Sequence, residues 1–551
     1  MVRNYSLFDL FVTNAITLMQ SIIAITLMHT IIAIYHCNLS SSGESESGKS
    51  ENYKLITRHL CDLSKTSKKK TKIHSNVLKV ESVIGAFGNA SSPLNMNASC
   101  FTRYSEYQFN ARGRMVGVKL IETLLDKQRV SGAIGGGHNF HIFYYLLDGI
   151  SYDERAKWRL SDPAHFHYLS QSKMRVPSYA QSKGNAPFDE IKDNLKSLGI
   201  GRRQQAQLWQ LLAAILHLGN IQFVDAQTSN DPCSIQNSQQ LIVVSEMLGV
   251  APGALSSVLT TQTIHSKSES ISNFLSASNA AFQRDKLAHS LYAVIFSWIV
   301  EQINQRLCRP DTEWVNFVSV LEIPGMAGFG DLENGHYRLL VNYANERILA
   351  HSAKELFNLP KEAFAAQGIP FPSDNIFDND LLHLFIGPKT GIISLIDRHA
   401  ARNSTDEALN SKIYSLNEKS PYFVPSSAKK LAHSFGIKHH SAIVEYNVNG
   451  FIKHDSDILH SDFVTLVRGN PEYQGTTNPF LRSVFSDSII STRTALRDST
   501  KVISANNKGR FPSLKRKKAN TSEDEDETLD TAGTIGNEVI VYQILWLSLV
   551  Y

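Results

Sequence analysis

Residues 43–50 of this 551-residue chain are Gly43-Glu44-Ser45-Glu46-Ser47-Gly48-Lys49-Ser50, which matches the phosphate-binding pattern GxxxxGK[ST]. Glycines let such a loop curl so that successive backbone N–H groups converge on phosphate oxygens. Lys49 would neutralise the β- and γ-phosphates, and Ser50 would ligate Mg²⁺. A helix beginning near Ser50 would add its positive dipole end. The motif predicts a nucleotide site, and a Ser/Gly-rich surface loop is the alternative.

Other segments of the chain, taken in order, resemble the motor domain of myosins. The matching segments are residues 43–51, 86–90, 97–101, 139–144, 212–221, 321–325, 342–347, 446–451 and 462–464. They look like the phosphate loop, the helix end before switch I, switch I, the NFHIFY helix, the LAAILHLGNI segment, switch II and three later core segments. The resemblance implies an α/β fold: a P-loop NTPase core with a central, mostly parallel sheet and large helical subdomains.

Three segments resemble a narrower group of motor domains more closely, the motor-like heads of fungal chitin synthases. These segments are the Pro324-Gly325 pair in switch II, residues 396–402 and residues 478–485. In that family the head precedes membrane spans and a glycosyltransferase domain. The chain has no Gln-Arg-Arg-Arg-Trp motif of the transferase product site. We therefore expect residues 1–551 to hold the head without the transferase.

The composition divides the chain into three parts: residues 1–42, atypical and apolar; 43–490, motor-like; and 491–551, a linker with a short apolar end. In the linker a basic run at 515–518 is followed by an acidic run at 523–527, which predicts disorder. A net charge of +4 gives no argument for nucleic acid as a partner. Five separated cysteines without a CxxC pair fit a reducing compartment and no metal site.

The N-terminal part allows three interpretations. Residues 15–35 are uncharged, mostly apolar and long enough to span a bilayer, so a membrane anchor is one. A signal peptide fits poorly, because only Arg3 is basic and no clear cleavage site follows. The third is a translated insertion, such as an unremoved intron in the gene model, over residues 26–42. Residues 20–25 would then be the buried strand that in the family runs directly into the phosphate loop.

Hydrophobic spacing predicts the main elements around the motifs. We expect helices over 50–63, 76–87 and 204–218, the last ending at Gly219, and the longest helix over 284–307. A hairpin is predicted from strands at 105–110 and 115–125, and a buried strand at 317–323 leads into switch II. The glycine run at 135–137 is expected to be a flexible entry to the helix that follows it.

The resemblance assigns roles to individual positions. The implied nucleotide-binding residues are Gly43, Glu44, Ser45, Glu46, Ser47, Gly48, Lys49, Ser50, Asn97, Ser99 and Gly325. The implied metal ligands are Ser50, Ser99 and Glu322. Glu322 stands where the family has an aspartate that holds a water on Mg²⁺, and Gly325 matches the glycine whose N–H bonds the γ-phosphate.

Two positions depart from the family pattern. Motor ATPases pair a switch I arginine with a switch II glutamate to close the site and orient the attacking water. Those positions hold Cys100 and Ala327 here, so both partners are lost together, which avoids an unpaired buried charge. We therefore predict no catalytic residue and expect ATP and Mg²⁺ to bind with weak or absent hydrolysis.

The resemblance implies partners as well as a ligand. It implies actin filaments, with candidate surfaces near residues 374–386 and 391–397, and a chitin synthase transferase domain or vesicle cargo. The expected role is to target or tether a chitin synthase at sites of wall growth. The expected location is the cytoskeleton, or the cytoplasmic face of the plasma membrane or of secretory vesicles if the chain is part of the full-length enzyme. Past residue 485 nothing resembles a converter or a lever helix, so movement is not predicted. The alternatives are a nucleotide-independent pseudo-motor used for docking, and the N-terminal part of a chitin synthase.

Overall fold

The computed structural model describes a set of segments between residues 37 and 485. They are residues 37–65, 71–93, 95–132, 137–172, 187–227, 231–266, 269–326, 328, 334–354, 359–369, 380–426, 433–457, 459–469 and 474–485. The predictions for residues 1–36 and 486–551 lie outside these segments. The predicted three-part division of the chain therefore stays a prediction.

The strands in the described segments follow one another in this order. They are β1 (Cys37–Ser41), β2 (Asn89–Ala90), β3 (Ala98–Ser99), β4 (Thr102–Phe109), β5 (Met115–Thr123), β6 (Phe223–Val224), β7 (Ser234–Ile235), β8 (Thr261–Ser266), β9 (Glu269–Phe274), β10 (Asn316–Glu322), β11 (Phe423–Pro425), β12 (Ser434–Lys438) and β13 (Ile443–Asn447). The sheet that carries the phosphate loop has the order β1-β10-β4-β5.

The helices surround this sheet. They are α1 (Lys49–Leu63), α2 (Lys72–Gly88), α3 (His141–Gly149), α4 (Tyr152–Lys157), α5 (His167–Ser170), α6 (Pro187–Ser197), α7 (Arg202–Leu218), α8 (Ser238–Leu248), α9 (Pro252–Thr260), α10 (Ala277–Leu307), α11 (His336–Ala353), α12 (Leu359–Ala366), α13 (Asp380–Ile386), α14 (Ile392–Ala401), α15 (Asp406–Asn417), α16 (Phe451–Asp455), α17 (Ser461–Arg468) and α18 (Pro479–Val484). The predicted α/β class is confirmed, with large helical parts around the sheet.

The central sheet is mixed in its described part, which corrects the expectation of a mostly parallel sheet. β1 runs parallel to β10, but β10 pairs with β4, and β4 with β5, in antiparallel register. The predicted hairpin accounts for one of the two antiparallel pairings, because β4 and β5 are joined by a short turn around residues 110–114, which only antiparallel strands can use. The hairpin is confirmed, and so is the strand before switch II, which is β10.

The strand that enters the phosphate loop is β1, at residues 37–41. The insertion hypothesis gave this place in the fold to residues 20–25 and treated 26–42 as inserted. The structure instead pairs Cys37 with Val318 and Ser41 with Glu322, directly before Gly43. Residues 15–35, including the apolar run, lie outside the described segments, so their membrane, signal and insertion interpretations remain untested.

The predicted helices are present with shifted ends. The longest, α10, has 31 residues rather than the expected 24 or so, and most of its surface is buried. Gly219 follows α7 as predicted, although it keeps right-handed torsion angles, φ −58° and ψ −22°. Its lack of a side chain matters for packing, because a Cβ there would stand 2.8 Å from the Tyr168 ring. Of the glycine run, only Gly137 is described.

The core of the motor-like part packs around α10. Tyr292 of α10 stacks on Phe140 with 4.6 Å between ring centroids, and its hydroxyl donates to the backbone oxygen of Phe87 at 2.6 Å. Phe87 lies in the last turn of α2 and Phe140 precedes α3, so these contacts join the end of one helix to the start of the other. A second cluster lies between α11, α13, α14 and the sheet β11-β12-β13.

The two candidate actin surfaces are mostly core where the structure describes them. In α13 the side chains of Leu381, Leu382, Leu384 and Phe385 are buried, and Ile392–Asp397 is buried apart from Ser394. Within the described segments, no single helix has the length and apolar character to cross a bilayer. Only the pair α8 and α9 meets that test jointly, with a bend of 111° between them.

Candidate nucleotide and metal site

The phosphate loop follows the turn geometry that its sequence predicts. It leaves β1 at Gly43, with φ of 137°, and enters α1 at Gly48, with φ of 86°. These are left-handed torsion angles, which glycine adopts without steric cost. Glu46, at φ 69°, adopts the same region with a side chain and so carries local backbone strain. The loop therefore curls over the N-terminus of α1, where backbone N–H groups favour an anion.

Lys49 is bonded to its own loop. Its Nζ donates to the backbone oxygens of Gly43, at 3.1 Å, and Glu44, and to Ser47 Oγ at 3.3 Å. Burial lowers the pKa of Lys49 to about 8, even though the carboxylates of Glu322 and Glu44 oppose that shift. A buried ammonium with only carbonyl and hydroxyl partners is well suited to exchange them for phosphate oxygens.

The turn after β10, where switch II is expected, lies against the phosphate loop. Ser45 N donates to Met326 O at 2.8 Å, and Met326 N donates to Gly43 O at 2.9 Å. A Cβ on Gly325 would stand 2.5 Å from the backbone of Ser45 and 2.8 Å from Lys49 Nζ. Only glycine allows this approach, so the Gly325 prediction has a steric reason. Ala327 lies outside the described residues.

Three oxygens from distant parts of the chain meet beside the start of α1. Ser50 Oγ and Ser99 Oγ are 3.3 Å apart, and Ser99 Oγ is 3.4 Å from Glu322 Oε1. Ser50 Oγ also donates to Glu322 Oε1. Adjacent ligand oxygens around Mg²⁺ stand about 3 Å apart in its octahedron. The oxygens of Ser50, Ser99 and Glu322 therefore fit one face of such a site, and the donor set suits a hard cation.

Glu322 is buried and ionised. Burial alone would raise its pKa, but the charge of Arg103 and hydrogen bonds from Ser50, Arg103 and Ser99 outweigh that effect and hold the pKa below its ordinary value. Arg103 Nη2 lies 2.6 Å from Glu322 Oε2, and Arg103 Nη1 lies 2.7 Å from Glu81 Oε1. Sequence reasoning did not find Arg103 or Glu81, because their meeting depends on strand register and helix packing.

Switch I is a short extended segment fixed to the end of α2. β3, which contains Ser99, pairs with β2. Asn97 Oδ1 accepts from Asn89 Nδ2 at 3.0 Å and lies 3.2 Å from His141 Nε2. Asn97 therefore has partners within the protein, and Ser99 faces Ser50 and Glu322.

Cys100 occupies a buried position behind switch I. Its N–H donates to Gly88 O at 2.9 Å, and its side chain is 3% exposed. Burial raises the pKa of the thiol, although the nearby Arg129 opposes that shift. Arg129 is itself paired with Asp126 at 2.9 Å. Position 100 thus carries a neutral thiol, and the neighbouring guanidinium of Arg129 is already paired with Asp126.

The phosphate loop, switch I and the turn after β10 all line one cavity of about 470 Å³. Of the predicted residues, those that line it are Ser45, Glu46, Gly48, Lys49, Ser50, Asn97, Ser99, Glu322 and Gly325. Gly43, Glu44 and Ser47 contact Lys49 instead. The cavity also reaches Arg338, whose Nη1 donates to Gly325 O at 3.3 Å. Sequence reasoning missed Arg338, which lies in the first turn of α11.

Comparison with known protein families and relatives gives concordant matches. The family model of the myosin head (motor domain) matches residues 36–530. Chitin synthase 8 of Mycosarcoma maydis is 33% identical over 85% of this chain and 24% of its own length. Chitin synthase 5 of Cryptococcus neoformans is 30% identical over 87% of this chain and 26% of its own length. Myosin-I heavy chain of Dictyostelium discoideum is 29% identical over 78% of this chain and 18% of its own length. The chain thus spans about a quarter or less of these relatives.

Proposed function

Because this chain belongs to the myosin head (motor domain) family, we propose that it binds Mg-ATP at the phosphate loop with weak or absent hydrolysis. The observation that carries the proposal is the meeting of Ser50, Ser99 and Glu322 next to the buried ammonium of Lys49. Three oxygens for a cation and one ammonium for phosphate, lining one cavity, match the charges of a metal-bound triphosphate.

The chain's own residues would act as follows. The N–H groups at the start of α1 and the ammonium of Lys49 bind phosphate oxygens, and Gly325 lets its N–H approach the same cavity. Ser50 Oγ, Ser99 Oγ and Glu322 Oε1 hold Mg²⁺. When bound, Mg²⁺ neutralises charge on the β- and γ-phosphates. The buried Cys100 supplies no cation, so the arrangement favours holding the nucleotide over cleaving it.

We further propose that the head targets or tethers a chitin synthase. The support is that two of the relatives are chitin synthases and that the matched part is about a quarter of their length. In that arrangement the chain is the N-terminal part of a longer synthase, on the cytoplasmic face of the membrane. Actin filaments are the partner that the family suggests. A nucleotide-independent docking module is the second candidate, favoured by the bonds of Lys49 to its own loop.

The binding test compares two lysines on the same helix. A fluorescent ATP analogue with Mg²⁺ is titrated into the purified chain, into Lys49→Ala and into Lys54→Ala. Lys54 bonds Glu51 at 2.6 Å and does not line the 470 Å³ cavity, so it is the matched control. We expect Lys49→Ala alone to abolish binding. Equal binding by all three proteins would overturn the nucleotide site.

Two further assays separate the candidate roles. Release of inorganic phosphate from bound ATP distinguishes slow hydrolysis from a clamped nucleotide, and we expect no release above the rate of the Lys49→Ala protein. Co-sedimentation with actin filaments, with and without Mg-ATP, tests the filament partner. Lack of nucleotide binding by the wild-type chain would leave the docking module as the surviving candidate.

A further inference from the structure

We propose that Arg103 is a positioning residue for the metal side of the site. It holds Glu322 so that one carboxylate oxygen faces Ser50 and Ser99. The inference rests on the proposed function, because it assigns a task to Arg103 in the binding of Mg²⁺ with nucleotide. Arg103 itself contacts neither of the two serines that would ligate the metal.

The two oxygens of the Glu322 carboxylate have separate partners. Oε2 accepts from Arg103 Nη2 at 2.6 Å, and Oε1 faces Ser50 Oγ and Ser99 Oγ. A glutamate has one more rotatable bond than the aspartate that the family has at this position, so its carboxylate can adopt more orientations. The bond to Oε2 removes that freedom and leaves Oε1 directed at the serines.

Arg103 is fixed from two other sides. Its Nη1 lies 2.7 Å from Glu81 Oε1 on α2, and its guanidinium lies 3.6 Å from the centre of the Tyr53 ring on α1. The Tyr53 hydroxyl is in turn 2.6 Å from Ser105 Oγ. A planar guanidinium that stacks on a ring and bonds two carboxylates has one orientation, which lysine could not reproduce.

Both members of the pair lie on strands of the central sheet, with Glu322 at the end of β10 where the switch II segment begins. Arg103 on β4 and Glu322 on β10 are direct partners in the antiparallel register. Backbone hydrogen bonds of the ladder therefore hold the Cα atoms of the two residues opposite each other. The family's Arg–Glu pair joins the two switch segments, whereas this pair joins two neighbouring strands of the sheet. The metal ligand is thus oriented before nucleotide arrives, which agrees with a site that holds nucleotide and does not cycle.

The test measures metal affinity separately from nucleotide affinity. Mn²⁺ is titrated into the full chain saturated with ADP, and free Mn²⁺ is followed by electron paramagnetic resonance. ADP affinity is measured in parallel in EDTA. The variants are Arg103→Lys, Glu322→Gln and the double variant. Arg284→Lys is the control, because Arg284 is 7% exposed like Arg103, pairs with Asp285 at 2.7 Å and lies at the start of α10.

We expect Arg103→Lys to weaken Mn²⁺ binding about tenfold, the lower end of the range for residues that orient metal ligands. Its ADP affinity in EDTA should equal that of the wild type, and Arg284→Lys should change neither quantity. In the Glu322→Gln background, Arg103→Lys should cause no additional loss, since Arg103 acts through Glu322.

Two results would overturn the inference while leaving the proposed function intact. One is wild-type Mn²⁺ affinity in Arg103→Lys. The other is a loss that adds fully to that of Glu322→Gln, because an additive loss means that Arg103 acts independently. If the wild-type chain binds neither ADP nor Mn²⁺, the proposed function itself fails.

Discussion

The side chain of Asn345 accepts a hydrogen bond from the backbone N–H of Gly43, 302 positions earlier in the chain, with 3.3 Å between the atoms. The same side chain donates to the backbone oxygens of Pro324 and Val341, each at 2.9 Å. One buried amide on α11 thus joins the first residue of the phosphate loop to the turn after β10. The two loops that face the cavity are held together by a helix behind them.

Replacing Asn345 should therefore affect both stability and binding. Asn345→Ala leaves the N–H of Gly43 and the oxygen of Pro324 without their partner, and we expect a loss of about 1–3 kcal/mol in unfolding free energy. Asn342→Ala is the control, since Asn342 lies on the same helix and donates to the Tyr446 hydroxyl at 2.7 Å. It should lose similar stability in urea titrations but keep wild-type affinity for the ATP analogue. Equal affinities in the two variants would contradict the role of Asn345.

Gly325→Ala should weaken nucleotide binding through a steric effect. The new methyl group would lie 2.5 Å from the Ser45 backbone, so the phosphate loop and the turn after β10 must move apart. We expect a loss of about 1–3 kcal/mol in unfolding free energy, as for overpacked sites. Gly253→Ala in α9 has no atom within 4 Å of the new group and should change neither stability nor binding appreciably. Normal binding by Gly325→Ala would mean that the two loops do not need this contact.

Nucleotide affinity should decrease at alkaline pH because of Lys49. Its pKa in the free chain is lowered to about 8, and phosphate binding requires the charged form. Below pH 8 the lysine is protonated before binding, and above it the dissociation constant should rise by about tenfold per pH unit. Titrations with the ATP analogue between pH 7 and 9.5 measure this. Lys49→Arg remains charged throughout, so a steep rise in that variant would exclude Lys49 as the titrating group.

The three charges Glu81, Arg103 and Glu322 should contribute unequally to stability. Arg103→Met leaves two buried carboxylates without their cation, which we expect to cost about 3–5 kcal/mol in unfolding free energy. Glu81→Gln keeps the Arg103–Glu322 pair and should cost about 1 kcal/mol. Urea unfolding followed by tryptophan fluorescence compares the two variants. Similar losses would mean that Arg103 does not compensate both carboxylates.

Cys100→Arg should lower stability when introduced alone. The position is buried, and Arg129 beside it already pairs with Asp126, so a new cation there lacks a free carboxylate. We expect a loss of about 3–5 kcal/mol. Cys308→Arg, at a half-buried position, serves as the control and should lose less. The double variant Cys100→Arg, Ala327→Glu would restore the arginine–glutamate pair of the family. If the two positions meet, it should recover part of the stability and raise the rate of phosphate release. No recovery would mean that the two positions do not meet.

The local elements of the fold could be predicted from sequence because each has a local cause. The glycines at the two ends of the phosphate loop determine its turn, the apolar spacing gives α1, α2, α7 and α10, and the alternation around residues 110–114 gives the hairpin. The expectation of a mostly parallel sheet was wrong for the described part, because local patterns do not encode strand direction. Pairing, rather than composition, sets that direction, and the described sheet is mixed.

By itself the sequence determined the loop and the helix behind it, and its resemblance to motor domains implied the roles of Ser50, Ser99 and Glu322. Only the tertiary structure decided what surrounds them: Arg103 opposite Glu322, Glu81 beside Arg103, and Asn345 between Gly43 and Pro324. The physical reason is the range of the interactions. Turn and helix geometry depend on neighbouring residues, whereas a cross-strand pair or a contact 302 positions apart exists only after register and packing are fixed.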